Sequence, residues 1–522
     1  MNDAVKAFFH RIQRTPEREA VYDYSTGRRY TYGDMGVRGM RLATYLSDTL
    51  GLRRGDVVAL AAESCVAFPD MFYASCISGV VITTYNARLR TSDTAPLIAR
   101  EKPRVVFVAE AYRDAMERAA REAGVECAFV SIDGGEGCPV TRYADIMAHQ
   151  PFDGDNVDFS SAGDFDIECT QMLVHTGGTT GLPKSAKISF RAVLYNALSA
   201  VLSIGITQDC VGLVFLPFFH TVGWNVAMLP HLISGGRVVL TDTLDPGVLL
   251  RLIETERPTT GLAVEAILLR MAKHPDFART DFSSYKFIAN GAGPISESTM
   301  ELYWDRGVTI VNAYGMTETG PNNCLCPNCE APLAEIRRHA DTIGKPMYFN
   351  ELKIVDESGD EVLAGVDGEL LWRGPVTFSG YWDNDAATAA VMAPGGWVRS
   401  GDIGHLDAEG YVHLQGRRKN MIITNGENVF PIEVENAIKS HPGVADCFVI
   451  AVPDARRGEV GKALVVMVDG APFDREEFAS WAKRRLASIK VPRYFKQIYD
   501  LPTCGLKTNV TRLRELYGNA GE

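Results

Sequence analysis

Apolar positions along the chain alternate between two textures. Short continuous runs, such as Val57-Val58-Ala59-Leu60, Val105-Val106-Phe107-Val108 and Val238-Val239-Leu240, are rich in β-branched residues. They predict strands buried on both faces. Between them lie longer stretches with helical periodicity, for example 32–50 and 111–122. Strand–helix alternation predicts an α/β fold of parallel sheets covered by helices. From about Lys353 the texture changes to short strands separated by Gly and Asp turns (ELKIVDESGDEV, GELLWRGP, GYVHLQGR). These predict a hairpin-rich β subdomain over 353–416, which closes a large N-terminal domain of 1–416. After Gly416 a fresh strand–helix pattern runs to the end, predicting a small α+β domain over 421–522. The polar segment between them, 417–420, is a candidate hinge that would let the small domain move. Taken alone, it reads as a surface turn. No fixed-period repeat or low-complexity tract interrupts this pattern.

Composition narrows the function classes. The chain has 522 residues, 46% hydrophobic and 23% charged, which fits a globular protein of several subdomains and excludes a disordered or fibrous one. The formal net charge of -12 argues against nucleic-acid binding, which needs a basic surface. That charge is unevenly spread: 421–522 holds 14 Lys+Arg and 13 Asp+Glu, so the acidic excess lies in the large domain. Within the small domain Lys483, Arg484, Arg485, Lys490, Arg493 and Lys496 form a run without an intervening acid. The 11 cysteines, mostly scattered singly, and the lack of an apolar leader predict a cytoplasmic chain with reduced thiols. The most apolar stretch, 212–235, is broken by Pro217, His220, Asn225, Pro230 and His231, and so predicts buried core and site wall rather than a membrane span.

The densest chemistry lies in VHTGGTTGLPKSAK, 174–187, directly after a predicted strand. Thr176, Thr179 and Thr180 supply hydroxyls. Gly177, Gly178 and Gly181 let backbone N–H groups approach an anion, and Lys184 adds a mobile positive charge. The residues describe a phosphate-cradling loop. It is not a Walker loop, because Pro183 rather than Gly precedes Lys184.

This loop resembles that of the adenylate-forming superfamily, which includes acyl-CoA synthetases, luciferases and peptide-synthetase adenylation domains. The match runs through Lys184, after which Ser185 stands where the family usually has Gly. Further segments follow in the family's order: LPFFHTVG (216–223), NGAGPIS (290–296), VNAYGMTETG (311–320), Asp402 and Arg417 in the 396–417 stretch, and NGENVFPIEVE (425–435). The resemblance spans residues 20 to 516 and is closest to acyl-CoA synthetases. It implies a carboxylic acid activated by ATP with Mg²⁺ to an acyl-adenylate, followed by transfer to CoA. It also implies residue roles. His220 would lie beside the acyl carboxylate, and Gly291, Ala292, Gly293 and Pro294 would line the adenine. Tyr314 would stack on it, next to Gly315. Thr317 would bond the α-phosphate and Glu318 hold Mg²⁺. Asp402 would take the ribose hydroxyls with Arg417 assisting. Lys419 falls at the hinge, and Gly426 would leave room for the pantetheine arm. Pocket walls would come from around Trp224, 264–268 and 313–323, with Gly261, Ala263 and Ala266 giving room.

The family pattern fails near the end. Its L-P-x-T-x-x-G-K stretch appears here as Leu501-Pro-Thr-Cys-Gly-Leu-Lys507, one residue short, with Leu506 in place of Gly. Aligned without a gap, Thr508 occupies the lysine position. Lys507 is the candidate catalytic lysine, and its displacement raises a slow adenylation half-reaction with retained use of preformed acyl-adenylate. Arg484 and Arg485 are candidate contacts for CoA phosphates. Cys324, Cys326 and Cys329 have no fourth ligand at workable spacing and read as pocket wall. Two competitors remain: a carrier-loading adenylation enzyme, opposed by the absence of Asp between Phe215 and Asn225, and a non-catalytic nucleotide-binding relative. The sequence leaves the acid and the oligomeric state open.

Overall fold

The computed structural model describes residues 1–149, 159, 162–177, 183–291, 293–325, 331–504 and 507–519. Two large sheets form the body. The nine-stranded sheet has a parallel centre, running from Ile310–Met316 through Phe287–Asn290, Thr260–Ala263, Val211–Val214 and Arg237–Leu240 to Glu19–Asp23. The seven-stranded sheet is built around Val57–Ala61, Val81–Thr84, Val105–Val108 and Thr170–Thr176. Neither sheet is wholly parallel, as alternation alone predicted. Gly320–Leu325 and Lys184–Ser189 each turn back antiparallel on the preceding strand. Both reversals follow short turns, which can join only antiparallel neighbours. These two turns carry the candidate chemistry.

Helices between the sheets share one core with both. The helix Ala67–Ser78 is apolar nearly all round, and Phe68, Met71, Phe72 and Tyr73 are each at most 2% exposed. Full burial of one such side chain contributes about 1.5–3 kcal/mol. Gly79, at φ +73°, ends this helix in the left-handed conformation, where a Cβ would also strike Arg54 and Phe165. Tyr32–Thr44 starts at a capping box in which Thr31 and Asp34 satisfy each other's backbone N–H groups. The buried Asp70 carboxylate receives Arg38 in a two-pronged ion pair and the Tyr143 hydroxyl, tying these two helices to Tyr143–Ala148.

A five-stranded antiparallel sheet follows, with Gly368–Arg373, Trp397–Leu406 and Val412–Arg417 at its centre. A 3-10 turn, Arg418–Asn420, leads into a last sheet built on Val444–Asp454 and Gly458–Met467. This sheet has its own core around Val434, Ile438, Val449 and Phe478. No helix among the described residues is long and apolar enough to cross a membrane.

Candidate active site

The strand Thr170–Thr176 leads into the candidate phosphate loop, and Lys184–Ser189 carries the chain away, with Thr176 opposite Lys184. Gly178, Thr179, Thr180 and Gly181 lie outside the described residues. Gly177 faces open space where a side chain would stand. Lys184 is a held charge rather than a mobile one. It opens a strand, and its ammonium lies 4.7 Å over the Tyr381 ring. Beneath the loop, Glu101 joins the two strands. Its carboxylate pairs with His175 Nε2 at 2.7 Å and accepts from Thr83 (2.9 Å) and from Ser185. Burial opposes its ionisation, yet His175, Ser185 and Thr83 hold its pKa below the usual carboxylate range. Arg100 donates to Ser185 (2.8 Å) and to the Pro183 carbonyl (2.7 Å). Ser185, where the resemblance expects Gly, thus clamps the loop's exit.

A second turn lies in the nine-stranded sheet. Ile310–Met316 ends in the 3-10 turn Thr317–Thr319, and Gly320–Leu325 returns beside it. The return is so close that a Cβ on Gly315 would lie 1.9 Å from the Pro321 carbonyl oxygen, so only Gly fits. Thr319 donates to Asn323 at 2.6 Å and fixes the turn. Thr317 and Glu318 are buried at 6% and 8% exposure. Glu318 accepts from the Tyr381 hydroxyl at 2.8 Å, and the Thr176 side chain stands beside that hydroxyl. Burial, then Glu318, raise the Tyr381 phenol, so it stays a donor. Tyr381 therefore joins Thr176, Lys184 and Glu318. No motif in the sequence marks it.

The third cluster gathers on Asp402, which stands opposite Arg417 across two antiparallel strands. Arg417 Nε lies 2.6 Å from one carboxylate oxygen, and the Tyr314 hydroxyl donates to the other at 2.5 Å. Burial, then Asp402, raise the Tyr314 phenol well above its usual value. The Tyr314 ring is stacked at 6.0 Å on Trp372, a neighbour the sequence did not identify. The turn after Phe287–Asn290 is tied by Gly291 N–H to the Ala263 carbonyl (3.3 Å) and by Asn290 Nδ2 to the Gly293 carbonyl (2.8 Å), leaving Gly293 and Pro294 exposed. Ala292 lies outside the described residues. His220 is half-buried, and its Nδ1 accepts from Val222 N–H at 3.4 Å.

Next to Tyr314, Ala313 forms part of the wall of a narrow cavity of about 40 Å³. Its described lining is apolar apart from His231, Thr260 and Asn322, and holds no charged side chain. Gly261 and Ala313 line it as expected, whereas Trp224 turns into the core against Phe68 and Phe218.

The expected residues of the small domain are spread out. Lys419 is exposed on the 3-10 turn. Gly426, at φ +83°, follows Asn425 at φ +53° in a two-residue hairpin between Thr424 and Glu427, which by itself calls for Asn-Gly. Arg485 and Arg484 lie 3.5 and 5.7 Å over the Trp481 ring. The basic run is partly neutralised by acids distant in sequence: Lys490 pairs with Glu433 and Arg493 with Asp454. Lys507 pairs through its backbone with Cys504, and Gly505 and Leu506 lie outside the described residues. Cys324 is buried on its strand, and Cys326 and Cys329 lie outside the described residues. No cluster of three metal-ligating side chains occurs among the described residues.

The donor set fits a magnesium nucleotide. Mg²⁺ is commonly held by one or two carboxylates plus phosphate oxygens and water, so Glu318 alone suffices. Thr176 and Lys184 stand near it as candidate donors to phosphate, and Asp402 supplies acceptor capacity suited to ribose hydroxyls.

Comparison with known proteins agrees. Residues 8–382 match the AMP-binding enzyme family and residues 433–505 match the AMP-binding enzyme C-terminal domain. The chain is 33% identical to a feruloyl-CoA synthase from an Amycolatopsis species, covering 95% of each chain. It is 32% identical to an indoleacetate–CoA ligase from Aromatoleum aromaticum, covering 86% of this chain and 87% of that one. ATP-bound MatB from Rhodopseudomonas palustris superposes with a TM-score of 0.88 at 27% identity, covering 99% of both chains. With both family models matched and a relative covered almost end to end, the chain belongs to the AMP-binding, adenylate-forming enzyme family.

Proposed function

We propose that the chain is an acid–thiol ligase that converts an apolar, aromatic monocarboxylic acid to its CoA thioester through an acyl-adenylate. The observation that carries this reading is the meeting of Thr176, Lys184 and Glu318 on Tyr381, beside a charge-free cavity. An acid with a second charge would leave that charge buried and unpaired in such a cavity. The relatives acting on ferulate and indoleacetate support an aromatic acid.

In the first half-reaction a carboxylate oxygen bonds to the α-phosphorus and the bond to pyrophosphate breaks. Thr317 donates to the α-phosphate, Asp402 and Arg417 fix the ribose, and Tyr314 with the Gly291–Pro294 turn holds the adenine. His220 borders the carboxylate. Glu318 holds Mg²⁺, which when bound neutralises phosphate charge. Lys507 offsets the charge that grows on the leaving oxygens. In the second half-reaction the CoA sulfur bonds to the acyl carbon and AMP leaves. For this the domain 421–522 turns about Lys419, bringing Gly426 to the pantetheine arm and Arg484 and Arg485 to the CoA phosphates. The free thiols of Cys65, Cys76, Cys127, Cys138, Cys169, Cys210 and Cys447 support a cytoplasmic setting.

A panel of aromatic and aliphatic acids with ATP, Mg²⁺ and CoA, read by mass spectrometry, should yield thioesters from the apolar aromatic members. Failure with every acid would sink the reading. The shortened lysine loop favours a second reading, in which adenylation is slow. Pyrophosphate release measured beside thioester formation from synthetic acyl-adenylate separates the two. Equal rates in both assays remove the second reading.

A further inference from the structure

On the wall of the cavity lies a hydrogen-bonded pair with no place in the mechanism above. His231, on the helix Leu229–Ser234, is 4% exposed and Thr260 is 6% exposed. His231 Nδ1 lies 2.8 Å from the Ala227 carbonyl oxygen and Nε2 lies 2.8 Å from Thr260 Oγ1. A carbonyl only accepts, so Nδ1 carries the proton. Burial, opposed by this bond to Ala227, lowers the His231 pKa to about 4, so the ring is neutral near pH 7. Nε2 is then a bare acceptor, and Thr260 donates its only hydroxyl proton to it. What Thr260 offers the cavity is an oxygen lone pair. The pair is built in: Gly212 faces Thr260 across the sheet, and a Cβ there would sit 2.7 Å from the His231 ring.

The pair's position follows from the strand that carries it. Thr260 begins Thr260–Ala263, and Ala263 at its far end receives the Gly291 N–H of the candidate adenine turn. Three strand residues rise about 10 Å. Thr260 therefore stands toward the end of the strand away from the candidate adenine turn.

We propose that Thr260, fixed as an acceptor by His231, selects aromatic acids whose far end carries a hydroxyl hydrogen-bond donor. This deepens the ligase reading and rests on it. An acid ending in hydrogen forgoes the bond. One ending in a methoxy group sets two acceptors against each other, or forces Thr260 to abandon His231 and leave a buried nitrogen unpaired.

The test compares kcat/KM for 3-(4-hydroxyphenyl)propanoate, 3-phenylpropanoate and 3-(4-methoxyphenyl)propanoate in thioester formation. The full-length protein should favour the hydroxy acid about tenfold over each of the others, the effect of one well-made hydrogen bond. Thr260→Val keeps the shape without the hydroxyl and should bring the hydroxy-to-hydrogen ratio to about one, whereas Thr260→Ser should keep it. A general packing defect would lower all three acids together and leave the ratio standing. Thioester from 3-phenylpropanoate without hydroxyl preference, or a preference that survives in Thr260→Val, overturns this inference and leaves the ligase reading intact. No thioester from these acids or from the wider panel overturns both.

Discussion

Asp402 concentrates more specific interactions than any other candidate residue, since Tyr314 and Arg417 each hold one of its oxygens. Charge-assisted hydrogen bonds contribute about 1.5–3 kcal/mol each. Asp402→Ala should therefore lower kcat/KM for ATP about a hundredfold, with KM for the acid little changed, in a pyrophosphate-release assay. Unchanged ATP kinetics would remove Asp402 from the nucleotide site. Glu318→Gln keeps a partner for Tyr381 but loses the hard anion. It should raise the Mg²⁺ concentration needed for half-maximal rate, a shift that a purely structural role would not produce. His231 predicts a stability profile. Its folded-state pKa of about 4 lies below the usual 6.5, so the unfolded chain takes up its proton first as pH falls. Stability from this residue is complete above about pH 6.5 and falls by about 3 kcal/mol as pH drops toward 4. Denaturant midpoints should show His231→Gln flattening that part of the curve. Two curves of the same shape would contradict it.

Between elements, the two antiparallel returns matter most. Gly315 lets Gly320–Leu325 come back against Ile310–Met316, and the turn between them carries Thr317 and Glu318. Gly315→Ala places a methyl group inside the Pro321 carbonyl, so one strand must move. Adenylation should fall at least about a hundredfold, the usual consequence of an ångström-scale displacement of catalytic groups. Near-normal pyrophosphate release in this variant would show that the turn tolerates the shift. The other return is held by the Glu101–His175–Ser185 network. Sequence marked the Gly/Thr loop but not what anchors it. Glu101 and His175 are 74 positions apart and belong to no common motif. The same limit hid Tyr381 and Trp372, which act only through partners supplied by other strands.

At the scale of the molecule, charge divides between the large body and the small C-terminal part. The acidic excess resides in the large body, while 421–522 is nearly neutral. Neutralising Arg484 and Arg485 should raise KM for CoA while leaving KM for ATP unchanged. No change in CoA dependence would assign both side chains to packing on Trp481. The basic run that looked uncompensated along the chain is partly paired in space, at Glu433 and Asp454, so its net charge is smaller than its sequence suggests. The shared core of the two large sheets, with fully buried Phe72 and Tyr73 between them, marks the body as one cooperative unit. The small domain has a core of its own.

Local order along the chain was enough to determine the strand–helix alternation, the change of texture near Lys353 and the family's ordered motifs. Each rests on residues within a few positions of one another, where periodicity and spacing act directly. Three things were decided only when distant strands met: Tyr381 as the junction of Thr176, Lys184 and Glu318, Asp402 as the shared acceptor of Tyr314 and Arg417, and the Thr260–His231 pair on the cavity wall. Hydrogen bonds are short-ranged and directional, so which donor meets which acceptor is set by sheet register and helix packing. Those are properties of the folded chain, and no window of sequence contains them.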